Sequence, residues 1–423
     1  MIVKILEPNE KYKASLAMAV AFEYGLDYQK EKAQALTMDD KAIAAAKALP
    51  EVPDSAPALP SDAFIPSLCF ASLSDDEEQL YGCMDLNTFT ARFDGKQVLM
   101  GGVGGVATFP QYRRLGAIRA CMNSIFRHMY DHGYTLSFLY PFSRYYYRKF
   151  GYVNGGRYYT WTIPLDAIPK NAPEGSIELL APGENMDVLT SIYNQFYETY
   201  NCSVVRRDYD RRMLEMNLLE QQQYIHIWKN KEGVPRGFMI GKKVDGILDC
   251  TTSFALQNAF LFLDADALAG MLGFVKTAFS TDYQAIRFMV PDNIPVDSMI
   301  SEGNKASCTV NYNGMARVVS VEKALLLCRC MGSGSLKMKV RDDIIPENNA
   351  VWKLTWHPDA PNQVEKCDGD PDVELPVSEF TALICGIRSA QEIPYIPEVA
   401  VYKQAADLSG IFYKKNNFVM NLF

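Results

Sequence analysis

The chain has few residues of the kinds that usually bind metals. It contains 4 histidines and 10 cysteines. His128 and His132 are spaced i, i+4, but the glutamate of an H-E-x-x-H zinc motif does not stand between them. Cys328 and Cys330 form a close pair, but no second pair lies nearby to complete a zinc site. No metal ion is therefore expected.

Excess positive charge and long apolar runs are also lacking. The formal net charge is −8 at pH 7, which disfavours nucleic acids and anionic membranes as partners and suits a cationic substrate. No apolar run approaches the roughly 20 residues of a membrane helix. Residues 1–20 lack the pattern of a signal peptide, and scattered cysteines are typical of reduced thiols, so a cytoplasmic protein is expected.

Apolar residues are abundant enough for more than one core. Hydrophobic residues make up 48% of the 423 positions and charged residues 22%, which is typical of a globular protein. A chain of this length exceeds one ordinary hydrophobic core, so two or three domains are expected.

The stretch of residues 101–122, GGVGGVATFPQYRRLGAIRACM, predicts a strand, a turn and a helix. Pro110 ends the strand, and the amphipathic helix is expected over 118–130. Gly116 allows close approach to the backbone, and Arg113 and Arg114 supply charge and forked donors. Because N–H groups at a helix start attract anions, the stretch predicts a pyrophosphate site.

Two other phosphate-binding patterns and one structural alternative bear on this stretch. The chain has no G-x-x-x-x-G-K-[ST], which excludes a Walker P-loop. Gly102, Gly104 and Ala107 fit the dinucleotide pattern G-x-G-x-x-A, but that pattern must open a helix and these residues look extended. A glycine-rich strand followed by a solvated basic helix start stays open as an alternative.

Two motifs carry a family resemblance. Arg113–Ile118 resembles the R-x-x-G-x-[GA] motif with which GNAT acetyltransferases bind the pyrophosphate of acetyl-CoA, although Ile118 replaces a small residue. The pattern from Val106 to Gly116 resembles the Eis family (enhanced intracellular survival proteins) of bacterial acetyltransferases, with Tyr112 where histidine is common. The resemblance implies these coenzyme contacts: Val106, Ala107, Thr108, Arg113, Arg114, Leu115, Gly116, Ala117, Ile118, Arg119, Phe142 and Ser143.

The same resemblance implies catalytic residues. Tyr145–Tyr152 is similar to the Eis-type I-Y-G-R-F-G-Y, which places the family's proton-donating tyrosine at Tyr147 and puts Arg148 where a small residue is usual. The chain ends in an apolar run, and in Eis-type enzymes the C-terminal carboxylate is the general base, so Phe423 inherits that role. The implied reaction is direct acetyl transfer from acetyl-CoA to an amine of a small cationic molecule or peptide. The alternative is an inactive GNAT scaffold with a lipid- or ligand-binding C-terminal domain.

The predicted fold class is α+β, with tandem GNAT-like domains followed by a sterol-carrier-protein-like α/β domain. The expected domains are 1–153, which binds the coenzyme, 154–305, which repeats the GNAT order without the arginine–glycine turn, and 306–423. The basic patch 206–212 predicts surface salt bridges or a subunit contact. Because Eis-type proteins form closed oligomers, a homo-oligomer such as a hexamer is expected.

Overall fold

Two compact units make up the described part of the chain. The computed structural model describes residues 1–47, 67–170, 173–181, 184, 186–206, 218, 220, 222–251, 259–301, 303–312, 314–402 and 408–418. Phe423 and most of the basic patch 206–212 lie outside these residues. The first unit contains Met1–Asn154 and Gly314–Lys414, and the second contains Gly155–Asn313 and Lys415–Leu422.

Three sheets and their flanking helices form the described fold. The strands are β1 (Ile2–Ile5), β2 (Leu68–Leu73), β3 (Leu80–Phe93), β4 (Lys96–Thr108), β5 (Leu136–Leu139), β6 (Val153–Asn154), β7 (Arg157–Pro164), β8 (Gly175–Leu180), β9 (Tyr224–Asn230), β10 (Pro235–Val244), β11 (Ile247–Asp249), β12 (Phe260–Phe262), β13 (Ala285–Pro291), β14 (Ser307–Tyr312), β15 (Met315–Val318), β16 (Gly334–Arg341), β17 (Ala350–His357), β18 (Ala360–Cys367), β19 (Val373–Pro376) and β20 (Ala400–Val401). The α-helices are α1 (Lys11–Phe22), α2 (Tyr28–Leu36), α3 (Asp40–Lys47), α4 (Ala117–Asp131), α5 (Arg144–Arg148), α6 (Asp187–Phe196), α7 (Ala265–Ala278), α8 (Val321–Leu327), α9 (Val377–Ile384) and α10 (Leu408–Ile411).

The first sheet combines strands that are distant in sequence. Its order is β1-β2-β3-β4-β5-β15-β6, and the neighbours β4 and β5 are parallel. β15 follows the second unit in sequence, yet it pairs with β5 from Met315–Leu139 to Val318–Leu136. The first sheet is therefore complete only when residues beyond 314 have joined the N-terminal strands.

Two helices cover opposite faces of this sheet. On one face, the small residues Ala14 and Ala17 of α1 pack with Cys83 of β3 and Ala107 of β4. On the other face, the apolar stripe of α4 packs with Met84, which is the next residue along β3. Because successive side chains on a strand point to opposite faces, β3 and β4 are enclosed from both sides.

The remaining sheet of the first unit has the order β18-β17-β16-β19-β20, with β16 and β19 parallel. Helix α9 contacts β15 of the first sheet as well as β16 and β19. Its residues Phe380, Leu383 and Ile384 are fully buried. The C-terminal part of the first unit is thus packed against the first sheet through a continuous apolar helix.

The second unit contains a sheet with the order β14-β7-β13-β11-β10-β9-β8, and β12 pairs with β10. β11 and β13 are its parallel neighbours. Residues 415–418, near the C-terminus, also belong to this unit. The Phe418 ring stacks on Tyr197 with centroids 4.5 Å apart, and the Phe418 N–H donates to the Asn201 carbonyl at 2.9 Å.

A buried ion pair joins β15 to the C-terminal part of the first unit. Both nitrogen–oxygen contacts from Arg317 Nη2 to the Asp342 carboxylate are 2.6 Å, and neither side chain is exposed. The guanidinium also lies 4.0 Å from the Phe126 ring centroid and donates to the Phe150 carbonyl. Asp342 accepts further hydrogen bonds from Asn348 and from the Ile344 and Ile345 N–H groups, so its charge is well compensated.

Breaking this pair should destabilise the first unit strongly. Asp342→Ala leaves the Arg317 charge buried without its carboxylate, and loss of one partner of a buried pair costs about 3–5 kcal/mol. Urea unfolding should show the loss as a lower transition midpoint. Glu365→Ala, which breaks the exposed pair with Lys353, should leave the midpoint nearly unchanged. Equal effects of the two variants would contradict this account.

Candidate functional site

The central strands of the first sheet separate before β4 ends. β4 and β5 are paired from Met100–Leu136 to Val103–Leu139. β5 ends there, whereas β4 continues to Thr108. The edge of β4 from residue 104 onward is therefore not paired with β5, which is the divergence expected for a site between them.

A β-bulge lies in that diverging part of β4. The register pairs Asp85 with Gly104 and Cys83 with Ala107, so Gly105 and Val106 together face Met84. Gly105 has φ of +56°, a left-handed conformation that glycine adopts without strain. A Cβ at this position would lie 2.6 Å from Met18 Cε and 2.9 Å from Asp85 Oδ2. A glycine is thus required here by both conformation and space.

The basic turn begins α4 without a side-chain cap. Gly116 is the N-cap residue, with φ of +86°, and no side chain caps the helix with a hydrogen bond. A Cβ on Gly116 would meet nothing within 4 Å, so the space in front of the helix is open. Because the first turn contains no acidic residue, its N–H groups and the positive end of the helix dipole can accept an anion.

Three arginines surround this helix start. Arg113, Arg114 and Arg119 are exposed, and none makes an ion pair with a described residue. Arg114 has φ of +69°, an uncommon conformation for a residue other than glycine. Tyr112 stands where histidine is common. Its ring packs on Tyr81 with centroids 4.7 Å apart, and its hydroxyl donates to the Gln79 side chain at 2.8 Å.

Tyr147 lies in an aromatic cluster that follows the end of β5 in the chain. It belongs to α5 and is 2% exposed. Its ring lies edge-on to Phe142 at 5.4 Å and to Tyr146 at 5.3 Å between centroids. Burial, with the neighbouring Tyr152 and Tyr146 phenols, raises the pKa of Tyr147 above its usual value. The hydroxyl therefore keeps its proton throughout the neutral pH range.

The segment before α5 combines exposed and capping residues. Phe142 is 75% exposed, as expected for a residue lining an open cleft. The Ser143 hydroxyl caps α5 by accepting from the Tyr146 N–H at 3.3 Å. Tyr146 lies near enough to Arg119 for that charge to lower its pKa, although burial is the larger effect and raises it. The two predicted sides of the cleft are thus close at this point.

Arg148, the departure from the family pattern, points away from this cluster. It is exposed and lines a cavity of about 440 Å³ together with Glu379, Arg388 and Glu392. Glu379 is 1% exposed and bonded to Arg388. The cavity places charges of both signs beside α5.

Asp85 is a residue of this region that sequence reasoning missed. It lies on β3 opposite the bulge and on the α1 face of the sheet. Burial raises the pKa of its carboxyl, although contact with Cys69 and the charge of Lys11 oppose this effect. The available signal was one acidic residue within the apolar run LYGCMDL, residues 80–86.

The predicted coenzyme residues lie on consecutive elements of the first unit. Val106, Ala107 and Thr108 end β4, the turn Arg113–Gly116 follows, and Ala117–Arg119 form the first turn of α4. Phe142, Ser143 and Tyr147 come after the end of β5. Ala107 is buried beneath α1, so only its backbone faces the cleft, and Phe423 lies outside the described residues. The roles of all these residues stay predictions. The dinucleotide pattern from Gly102 to Ala107 lies wholly within β4, which excludes a dinucleotide fold there.

Neither described α-helix of the second unit has a comparable start, since α6 lacks a side-chain cap but carries the acidic Asp187 in its first turn. Helix α7 is capped by Asp264, whose carboxylate accepts from the Ala267 N–H at 2.8 Å. Arg236 pairs with the same carboxylate. An anion that would occupy the helix start is therefore already supplied by the chain.

The described residues contain neither a cluster of metal-binding side chains nor a membrane-spanning helix. No group of three or more His, Cys, Asp or Glu side chains in these residues is arranged to hold a metal ion. None of the described helices has the length and apolar character needed to span a bilayer.

Family models identify two parts of the chain. Residues 66–154 match the model of the acetyltransferase (GNAT) domain, and residues 321–420 match that of the sterol carrier protein domain. Residues 66–154 thus form a GNAT acetyltransferase domain, and the predicted acyltransferase class is confirmed.

Solved structures show that the fold is shared across nearly the whole chain. A probable N-acyltransferase from Enterococcus faecalis, a conserved protein of unknown function, has a TM-score of 0.80 and 19% identity over 98% of this chain and 97% of that chain. Eis1 from Mycobacterium abscessus has a TM-score of 0.75 and 16% identity, covering 99% of this chain and 98% of its own. A GCN5-related N-acetyltransferase from Anabaena variabilis has a TM-score of 0.75 and 17% identity over 98% of both chains. The predicted Eis-like fold is confirmed, and no curated protein matches the chain in sequence.

Proposed function

We propose that this protein transfers the acetyl group of acetyl-CoA to an amine of a small cationic molecule or peptide. The observation that carries the proposal is the uncapped start of α4, which faces open space beside three exposed arginines. N–H groups and arginines in this arrangement suit a pyrophosphate. Val106, Thr108, Phe142 and Ser143 then line the pantetheine arm where β4 and β5 diverge.

The proposed reaction uses the residues that the family resemblance implies. Phe423's carboxylate takes a proton from the acceptor ammonium, which restores the lone pair on nitrogen. The nitrogen attacks the thioester carbonyl, and N–H groups near Val106 and Thr108 hold the developing negative charge on oxygen. Once the new N–C bond has formed, the C–S bond breaks, and the Tyr147 hydroxyl gives its proton to the departing thiolate. The amide nitrogen releases its one extra proton, which returns the Tyr147 phenolate to its neutral form. The Tyr147 hydroxyl is protonated at neutral pH, because burial raises its pKa further above the usual value.

The assignment extends to assembly and compartment. We propose a homo-oligomer such as a hexamer, in which the basic patch 206–212 contributes to subunit contacts. None of the ten cysteines forms a disulfide, and we propose a reducing compartment such as the cytoplasm. The competing idea of an inactive scaffold does not explain why the helix start and its arginines are left open to an anion.

Arg114→Ala should weaken CoA binding. A hydrogen bond to a charged group is worth roughly 1.5–3 kcal/mol, so the dissociation constant should rise about ten- to hundredfold. Calorimetric titration of CoA at low salt measures this change. Arg157→Ala in the second unit, an exposed arginine paired with Asp292, is the matched control and should bind CoA as the wild type does. Unchanged affinity in Arg114→Ala would remove the turn from the coenzyme site.

The assembly should be visible as mass. Light scattering at micromolar protein concentration should give a multiple of the 47.5 kDa chain mass. A single-chain mass under these conditions would refute the oligomer.

Extension of the chain by one glycine after Phe423 should remove most acetyl transfer while CoA binding remains. The added residue moves the carboxylate by about 3.3 Å, and general-base catalysis contributes about 10²–10⁴-fold.

Tyr147→Phe should also lower the rate with little change in CoA affinity, because it removes the proton donor but keeps the ring. Steady-state turnover, with folding checked by thermal melting, measures both effects. An added N-terminal residue is the control and should be silent, and full activity in the extended enzyme would exclude the carboxylate as the base.

A further inference from the structure

A polar cavity lies beside α5 in the first unit. It has a volume of about 440 Å³ and is lined by residues of α5, of the start of α9 and of the segment 388–398 that follows α9. This volume is at the lower end of the range of about 300–1,000 Å³ that is usual for small-molecule sites. The cavity therefore suits a ligand of about the size of an amino acid.

A buried ion pair forms one wall of this cavity. The Glu379 side chain is 2% exposed, and its carboxylate accepts from Arg388. Glu379 also lies in the first turn of α9, where the helix dipole stabilises a negative charge. The carboxylate is thus compensated from within the chain. The Arg388 side chain is 32% exposed, and a guanidinium has more N–H groups than one carboxylate oxygen uses, so Arg388 keeps donors for a ligand.

Arg148 supplies a second positive charge. It is exposed and lines the same cavity, and no described carboxylate forms an ion pair with it. Consecutive residues of a helix are separated by about 100° around the axis, so Tyr147 can lie in the aromatic cluster while Arg148 faces the cavity. Arginine forms its strongest hydrogen bonds with carboxylates, which makes a carboxylate the expected partner of Arg148.

Two further carboxylates give the cavity negative charge. Glu392 accepts from the Ser389 N–H at 2.8 Å, which holds its side chain, and the Glu398 carbonyl accepts from Arg341 at 3.2 Å, which holds its backbone. Neither carboxylate forms an ion pair with a described residue. Since two arginines and three glutamates line the cavity, it carries one more negative charge than positive. The exposed ring of Tyr395 offers a face for a cation.

We propose that this cavity binds a free basic amino acid such as arginine. Arg148 and Arg388 bind its α-carboxylate, and Glu392 and Glu398 bind its α-ammonium group and its cationic side chain. A basic amino acid has one more positive charge than negative, which balances the charge of the cavity. A polyamine would leave Arg148 without a carboxylate, and a dicarboxylate would add to the negative charge. The site shares no residue with the predicted coenzyme and catalytic residues, so it does not depend on the proposed acetyl transfer.

The first test compares three ligands in calorimetric titrations of the wild-type chain without acetyl-CoA. L-Arginine should bind most tightly. Agmatine has the same cationic side chain but no carboxylate, and L-citrulline keeps the carboxylate but has an uncharged side chain. Each should bind about ten- to hundredfold more weakly than L-arginine, because each loses one charge-assisted contact.

The second test removes the proposed carboxylate partner. In Arg148→Gln, L-arginine affinity should fall about ten- to hundredfold, whereas agmatine affinity should not fall. Lys149→Gln, an equal loss of charge at the next exposed position of the chain, should leave both affinities unchanged. Glu398→Gln should weaken both ligands, because both carry the guanidinium group.

The inference is supported if Arg148→Gln loses L-arginine affinity and retains agmatine affinity. It is overturned if the wild type does not bind L-arginine at millimolar concentration, or if it binds L-arginine and agmatine equally well. Unchanged L-arginine affinity in Arg148→Gln also overturns it, because the ligand would then lie elsewhere. The comparison of ligands in the wild type holds even if Arg148→Gln fails to fold. Since acetyl-CoA is absent throughout, a negative result leaves the proposed acetyl transfer untouched.

Discussion

The hydrogen bonding between β4 and β5 stops at Val103, and the candidate site depends on this break. A strand edge that loses its neighbour must satisfy its N–H and C=O groups in another way. Here β4 carries a bulge at Gly105 and Val106 just where the pairing has ended. The edge beyond Val103 is therefore available to a ligand backbone such as a pantetheine arm. The first turn of α4 lies at the far end of the same strand, so one strand orients both ends of the proposed coenzyme site.

Local sequence chemistry predicted much of this arrangement. Pro110, Gly116 and the apolar stripe of α4 each have a conformational consequence that acts within a few residues, and the observed helix Ala117–Asp131 is close to the predicted 118–130. The bulge at Gly105 and the insertion of β15 between β5 and β6 were not foreseen. Both are set by register between strands far apart in the chain, and a single sequence carries no direct signal of register. Asp85 was missed for the same reason, because only the register places it opposite Gly104 of the neighbouring strand.

The two repeated units illustrate how one residue decides whether a helix start can be a site. Both α4 and α7 have positive N-terminal dipole ends. α4 begins at a glycine with no side chain to compete for its N–H groups, whereas α7 begins at Asp264, which accepts from Ala267 and pairs with Arg236. Because the Asp264 carboxylate is part of the chain and already bonded at this helix start, an external phosphate would have to displace it. The start of α4 is thus open to an anion, whereas the start of α7 is already occupied by a carboxylate of the chain.

Charge is also divided between the faces of the first sheet. The arginines 113, 114 and 119 gather at the start of α4, whereas Asp85 lies on the face covered by α1. This separation keeps the Asp85 carboxylate away from the anion that the start of α4 would bind. Because like charges repel, a carboxylate placed beside these arginines would weaken an anion site there.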